Sequence, residues 1–355
     1  MPHPLDTENM EQVITDSPQQ FRDGLRAATA VPWTPPGPLL NICLAGMGGS
    51  WMAGALLRDA SALRVPCTIH RSYGLPVSAT LQTLVIVSSH SGNTEEALSA
   101  YDEAQQRGLP VVAIAAGGEL LKRAKMDGTP FVHIPAQPPT MQPRSATGYS
   151  VGILAGFLAR LGLAKKDLPQ DLEDLASHLE SSMESLRTHG EAIAPTLTQV
   201  TPIVYASDAH ATVARIWKIK INENAKTPAF WNVFPELNHN EMIGWSKTPR
   251  SRLPAEASAK AGGEGGTERS VFHIILLRDA GDDPRILKRM DITAALLHEW
   301  GIAATIVPID GGTRLEKMFS TLLVGDWLSY RLALELGVDP SPVAMVEDLK
   351  RRLKE

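Results

Sequence analysis

Hydrophobic residues along this chain fall into short unbroken runs separated by helical patterns. Within residues 11–30, Phe21, Leu25 and Ala28 recur at helical spacing and Asp16 or Ser17 can cap the turn, which predicts a short helix that "VPWTPPGP" then breaks. After that break a grammar repeats. Leu39 to Ala45 is a continuous apolar strand, "GMGGS" a glycine-rich turn and Met52 to Ala60 a helix. Leu84 to Ser88 is a second strand, "SHSGNT" a second turn, and Glu95 to Arg107 a helix closed by Gly108. Val111 to Ala115 and Phe131 to Ile134 read as two further strands, and helices over Ala146 to Leu163 and Leu172 to Arg187 lead into a second half. There strand Pro202 to Ala206, helix Ala211 to Ala225, strand Val271 to Leu277, helix Pro284 to Trp300, strand Ala304 to Pro308 and helix Glu316 to Leu336 repeat the layout, before a last helix from about Pro342 to Leu353. Apolar runs alternating with helices predict mainly parallel sheets flanked by helices on both faces, hence an α/β fold built twice.

The length of 355 residues suits two domains of roughly 150 residues each, with expected bounds of 1–166 and 167–355. Residues 246–270, rich in Pro, Gly, Ala, Ser and charges, have no apolar face to bury and are expected to form a flexible surface insertion. A net charge of -5 gives no long-range attraction for nucleic acid or acidic membranes, so any anion must be held by local groups. The two cysteines, Cys43 and Cys67, lie in or beside apolar runs without C-x-x-C spacing and are expected to be reduced, buried thiols. "MPHPLDTENMEQ" lacks the features of a signal peptide and no apolar run reaches the ~18 residues of a membrane span, so a cytosolic location is expected.

Both Gly-Ser turns follow a strand and open a helix, which is where open α/β sheets take ligands. In the second, Ser89, Ser91 and Thr94 offer hydroxyls, Gly92 permits close approach, and the helix start adds unpaired N–H groups with partial positive charge. That set can hold a phosphate without a lysine. Simple helix capping by Ser, Asn and Thr accounts for the same residues, and local sequence leaves both readings open. Trp51 stands where a dinucleotide fingerprint from Gly46 would need glycine, and no G-K-[ST] follows either turn, which excludes the two common nucleotide loops. "GMGGS" followed by "SSHSGNTEEAL" resembles the SIS, or sugar isomerase, domain, whose serine-rich loop binds the phosphate of a phosphosugar.

The stretch "WKIKINENAKTPAFWNVFPELNHNEMIGW" carries the other candidates. Ala214, Trp217, Ile221 and Ala225 form one apolar stripe of a helix and Ile216 with Ile219 a second, so Glu223 is expected beside buried surface, where desolvation would raise its pKa toward the range of a general base. Pairing with Lys220 or Lys226 is the plainer reading of the same residue. His239 lies among amides that could fix its tautomer for proton transfer, or it is an ordinary satisfied histidine. No metal-ligand spacing is present, so no metal is expected.

"NENAKTPAFWNVFPELNHNEMIGW" together with "GVDPSPVAMVEDLKRRL" is similar to the bifunctional phosphoglucose/phosphomannose isomerases, a two-SIS-domain family of the phosphoglucose isomerase superfamily. The resemblance covers nearly the whole chain apart from residues 246–270. It implies two SIS-type three-layer domains and interconversion of glucose or mannose 6-phosphate with fructose 6-phosphate, without a cofactor. Glu223 then matches the base that moves a proton between C1 and C2, and Arg144 the residue that stabilises the enediolate. His239 matches the group that assists ring opening, contributed by the partner subunit of a homodimer, and Lys350 the lysine near the ring oxygens. Gly48, Gly49, Ser50, Ser89, Ser91 and Thr94 match the phosphate and sugar loops. Trp51 departs from the small residue expected after "GGS", and would either reshape the sugar pocket or anchor the following helix in the core. A phosphosugar-binding regulator without turnover is the alternative; against it, the chain keeps all the catalytic candidates and has no basic appendage. A glucosamine 6-phosphate synthase would need a glutaminase domain opening on cysteine, and "MPHPL" has none.

Overall fold

The computed structural model describes residues 3–29, 31–137, 141–247, 250–252 and 268–353. The chain divides into two compact units, one of residues Glu8–Met183, the other of Glu184–Glu355 together with Met1–Thr7.

The first unit opens with α1 (Met10–Thr15) and α2 (Ser17–Thr29), two helices where the periodicity predicts one. Its sheet is formed by β1 (Asn41–Ala45), β2 (Cys67–His70), β3 (Thr83–Ser88), β4 (Val111–Ala115) and β5 (Phe131–His133) in the order β2-β1-β3-β4-β5, every pair parallel. The helices are α3 (Met52–Asp59), α4 (Glu95–Gln106), α5 (Gly118–Met126) and α6 (Thr147–Arg160). All residues of β3 and β4 are buried, as strands covered on both faces require. On one face Val85, Val87, Ala113 and Ala115 pack with Ala97, Tyr101, Leu120 and Leu121 of α4 and α5. Cys43 is buried in β1 and Cys67 half-buried in β2; both are free, and burial pushes their thiols up to about 11 and about 12, which makes them inert.

The long helix α7 (Leu168–Ile193) leads into the second unit. There β6 (Thr201–Ser207), α8 (Ala211–Asn224), β7 (Phe230–Phe234) and the short α9 (Leu237–Asn240) follow in turn. Two short strands, β8 (Arg250–Arg252) and β9 (Glu268–Ser270), pair antiparallel. Then come β10 (Phe272–Arg278), α10 (Pro284–Glu299), β11 (Ala303–Pro308), α11 (Arg314–Glu335) and α12 (Ala344–Arg352). The order β11-β10-β6-β7 is again parallel throughout, so the expected α/β fold is present in both units. The expected insertion at 246–270 lies largely outside the described residues; β8 and β9 bring its two flanks side by side. Among the described residues no helix is long and apolar enough to cross a membrane.

Candidate active site

In an open parallel sheet the crevice for a ligand opens where the strand order reverses, outside the carboxyl ends of the two strands flanking that point. In the first unit this point lies between β1 and β3. The two Gly-Ser turns leave those two strands. The turn after β1 closes as a single 3-10 turn over Gly48–Trp51, with Gly48 at φ 53. A side chain at Gly49 would lie 2.6 Å from the carbonyl of Pro143, so glycine is what lets the turn carrying Arg144 rest on it. Ser50 then reaches across to the other loop, its Oγ accepting from the backbone N–H of His90 at 3.1 Å. Gly48, Gly49, Ser50, Ser89, Ser91, Thr94 and Arg144 are thereby gathered at one edge of one sheet. Arg144 itself is buried, 2% exposed, and carries its charge into the interior.

The second loop is held from within and from behind. Ser89, fully buried, donates from Oγ to Thr94 Oγ1 at 3.0 Å and accepts from the N–H of Gly92 at 3.1 Å, so its hydroxyl shapes the loop. Ser91 is exposed and accepts from the N–H of Asn93 at 3.2 Å. Behind the loop stands a second glycine pair that the sequence reading passed over: a Cβ at Gly92 would fall 1.9 Å from the carbonyl of Gly117, and one at Gly118 would fall 2.2 Å from that of Ser91. The amides of Leu120 and Glu119 bond to Gly92 O at 2.9 Å and Asn93 Oδ1 at 3.0 Å, so the start of α5 clamps the loop. Thr94 is the N-cap of α4 yet makes no side-chain cap bond. The capping reading of the hydroxyls therefore fails, and the first-turn N–H groups of α4 keep their capacity for an anion.

The remaining candidates belong to the second unit. Glu223 lies in the last turn of α8 and is half-buried, less enclosed than the two apolar stripes suggested. Of the two lysines considered as its partners, Lys220 makes an ion pair with Asp326 at 2.5 Å, and Lys226 donates to the carbonyls of Glu223, Asn224 and Pro340 at 2.6, 3.2 and 3.0 Å. Lys226 thus ties the N-E-N end of α8 to the "DPSPV" turn, and Lys350 lies on the helix that follows that turn. Lys350 is exposed and paired with Glu347 at 2.7 Å on a helix that buries none of its residues.

His239 stands apart from these. The chain runs along β6 to its carboxyl end, returns along α8 to Glu223, and runs out again along β7 to α9. Glu223 and His239 therefore sit at opposite edges of the same sheet, separated by the five residues of β7, about 16 Å of strand. Glu241 fastens α9 to the sheet by accepting from Tyr205 of β6 and Asn232 of β7. The neighbouring amides do not serve the imidazole as expected: Asn238 donates to Thr293 at 3.0 Å and Asn240 to Glu236 at 2.8 Å. His239 is exposed and lines, with Met242, Ile243, Trp245, Leu296 and Trp300, a mainly apolar pocket of about 330 Å³.

A chain with two parallel α/β units and a hydroxyl-lined switch point in the first has the build of the double-SIS phosphosugar proteins. The sequence profile of the bacterial phospho-glucose isomerase C-terminal SIS domain matches residues 187–353. A bifunctional phosphoglucose/phosphomannose isomerase of Caldicellulosiruptor bescii is 35% identical over 326 residues, 89% of this chain and 90% of that one. Its counterpart in Aquifex aeolicus is 32% identical over 320 residues, covering 89% and 91%. The chain belongs to the bifunctional phosphoglucose/phosphomannose isomerase family. Solved structures share the fold at lower identity. The C-terminal domain of glucosamine-fructose-6-phosphate aminotransferase from Francisella tularensis superposes with a TM-score of 0.73 at 13% identity, covering 96% of this chain and all (100%) of that one. Tagatose-6-phosphate ketose/aldose isomerase from Escherichia coli gives 0.64 at 18% identity, covering 96% of each.

Proposed function

We propose that this protein is an aldose-ketose isomerase that interconverts glucose 6-phosphate and mannose 6-phosphate with fructose 6-phosphate. What carries the reading is the switch point of the first unit. A helix N-terminus left uncapped by its own threonine stands beside serine hydroxyls there, in a chain related along most of its length to bifunctional isomerases. The phosphate is the handle: bound at Ser50, Ser91, Thr94 and the start of α4, it orients the reacting carbons through binding energy spent away from them.

The proton chemistry follows from the substrate. The hydrogen at C2 of the open aldose is weakly acidic, so a base must take it while a donor stabilises the charge growing on oxygen. Glu223 is the base. It removes the C2 proton and returns it to C1, while a hydroxyl proton passes from O2 to O1, so the enediolate collapses to the ketose without oxidant or reductant. Arg144 is the cation for the enediolate oxygens. The closed ring is opened first by proton transfer at the ring oxygen and O1, which is the part of His239 with Lys350.

The separation of Glu223 and His239 across one sheet supports a homodimer in which His239 serves the site of the partner chain. A cytoplasmic location fits a substrate that is an intracellular metabolite by its charge. The test is a pair of assays coupled to fructose 6-phosphate formation, started with glucose 6-phosphate and with mannose 6-phosphate. Turnover of both is expected; turnover of neither, with phosphosugar binding intact, would make the chain a binding regulator.

A further inference from the structure

One cation at the phosphate edge has no place in the chemistry above. β2 is the neighbour of β1, with His70 in register with Ala45 and its carbonyl accepting from the N–H of Gly46 at 3.1 Å. Arg71, the next residue, therefore emerges at the level of the "GMGGS" turn. Its guanidinium lies over the indole of Trp51, 5.0 Å from the ring centroid, while the indole itself is 4% exposed and fixed in the core. The segment beyond Arg71 leans on the other half of the cradle. Tyr73 Oη donates to Glu95 in the first turn of α4 at 3.3 Å, Gly74 N–H to Ser99 at 3.0 Å and Leu75 N–H to Glu103 at 2.9 Å. Arg71 is thus held between the two loops, anchored on one side by a ring and on the other by a strap bonded to α4.

Arg71 is exposed, and among the described residues no carboxylate lies within ion-pair distance of it. Its neighbour Arg58, by contrast, is paired with Asp59 at 2.8 Å. An arginine held over an aromatic face is restrained in place and keeps its fork of N–H donors, which suits the bidentate recognition of a phosphate dianion. The hydroxyls and N–H groups of the cradle are neutral, so they solvate the phosphate but give its two negative charges no counter-charge.

We infer that Arg71, presented by Trp51, is the cationic contact for the phosphate group of the substrate, and that the bulky residue after "GGS" is there to hold it. The inference rests on the phosphosugar reading of this edge. It also explains the departure at Trp51: the indole is the core anchor expected as one alternative, and its outer face is a platform.

The test uses the full chain and two ligands that cannot react, a hexitol 6-phosphate and inorganic phosphate, with calorimetric Kd values beside KM and kcat. Arg71→Met keeps an aliphatic chain on the indole and removes the charge; it should weaken both ligands and raise KM by about 10- to 100-fold while kcat stays within a few-fold. Arg71→Lys should recover part of that loss and Trp51→Phe should lose little, whereas Trp51→Leu should behave like a weakened Arg71→Met. Wild-type Kd and KM in Arg71→Met would overturn the assignment while leaving the phosphosugar reading intact. Failure of the wild type itself to bind either ligand would overturn both.

Discussion

The two sheets are built alike and finished differently. In each, the strand order reverses between two central strands, β1 and β3 in the first unit and β6 and β10 in the second, and each reversal opens a crevice at the carboxyl edge. The first crevice is lined by hydroxyls, glycines and the uncapped start of α4. The second is filled: His210, fully buried, bonds through Nε2 to Asp279 at 3.0 Å, and the other carboxylate oxygen of Asp279 accepts from Lys317 at 2.6 Å and from the N–H of Gly281 at 2.8 Å. Asp282 stands within 4.8 Å of the same pair. An edge crowded with carboxylates repels a phosphate, although His210 Nδ1 and Asp282 Oδ2 are buried there without a hydrogen-bond partner among the described residues. Duplicating a fold therefore duplicates a possible site, and the side chains at the carboxyl edge make the two edges chemically different.

That contrast can be broken from either side. Gly92→Ala is expected to do most damage, because the backbone there has φ 70 and the new Cβ would fall 1.9 Å from the Gly117 carbonyl. A loss of about 3 kcal/mol in urea unfolding, with hexitol 6-phosphate binding lost in calorimetry, is expected. The mirror experiment at the second edge is Lys317→Met, which leaves the buried Asp279 without its cation. A loss of about 2–3 kcal/mol is expected, with KM and kcat of the remaining folded enzyme unchanged. A large rise in KM there would mean that the second edge also binds substrate.

Acid sharpens the same comparison more gently. Burial holds His90 at the first edge, His210 at the second and His273 in β10 below the ordinary histidine value of 6.5, in the case of His210 against the upward pull of Asp279. A neutral histidine in the fold that takes a proton when unfolded stabilises the protein above that ordinary value, and the contribution is lost as pH falls through it. Asp279 is held below its ordinary 3.8 by Lys317, Gly281 and His210 against the cost of burial, so its contribution survives until stronger acid. Thermal unfolding should therefore show a falling Tm between pH 7.5 and 5; a Tm that rises over that interval would contradict the placement of these rings.

Much of this architecture was legible because strands buried on both faces must be apolar throughout: β4 was bounded to the residue and β1, β3, β6 and β10 within two. What escaped had a physical reason. β2 is an edge strand with only half-buried or exposed residues, β7 carries Asn232 at its centre, and α5 begins at Gly117-Gly118, which reads as a breaker until the backbone of the facing loop is seen against it. At the candidate site, hydroxyl spacing singled out the loops after β1 and β3, but which hydroxyl faces outward and which is buried is a property of packing. Arg71 gave no signal at all, since its meaning comes from an indole 20 positions away. Likewise His210, Asp279 and Lys317 are brought together from three separate loops and helices.

The central claim is that Glu223 performs the proton transfer on a phosphosugar held elsewhere. Glu223→Gln keeps the shape of the side chain and removes the base. If the account is right, kcat falls about a thousandfold with both glucose 6-phosphate and mannose 6-phosphate, and exchange of the C2 hydrogen with solvent deuterium falls with it, while the hexitol 6-phosphate still binds with the wild-type Kd. Full turnover by Glu223→Gln would contradict it.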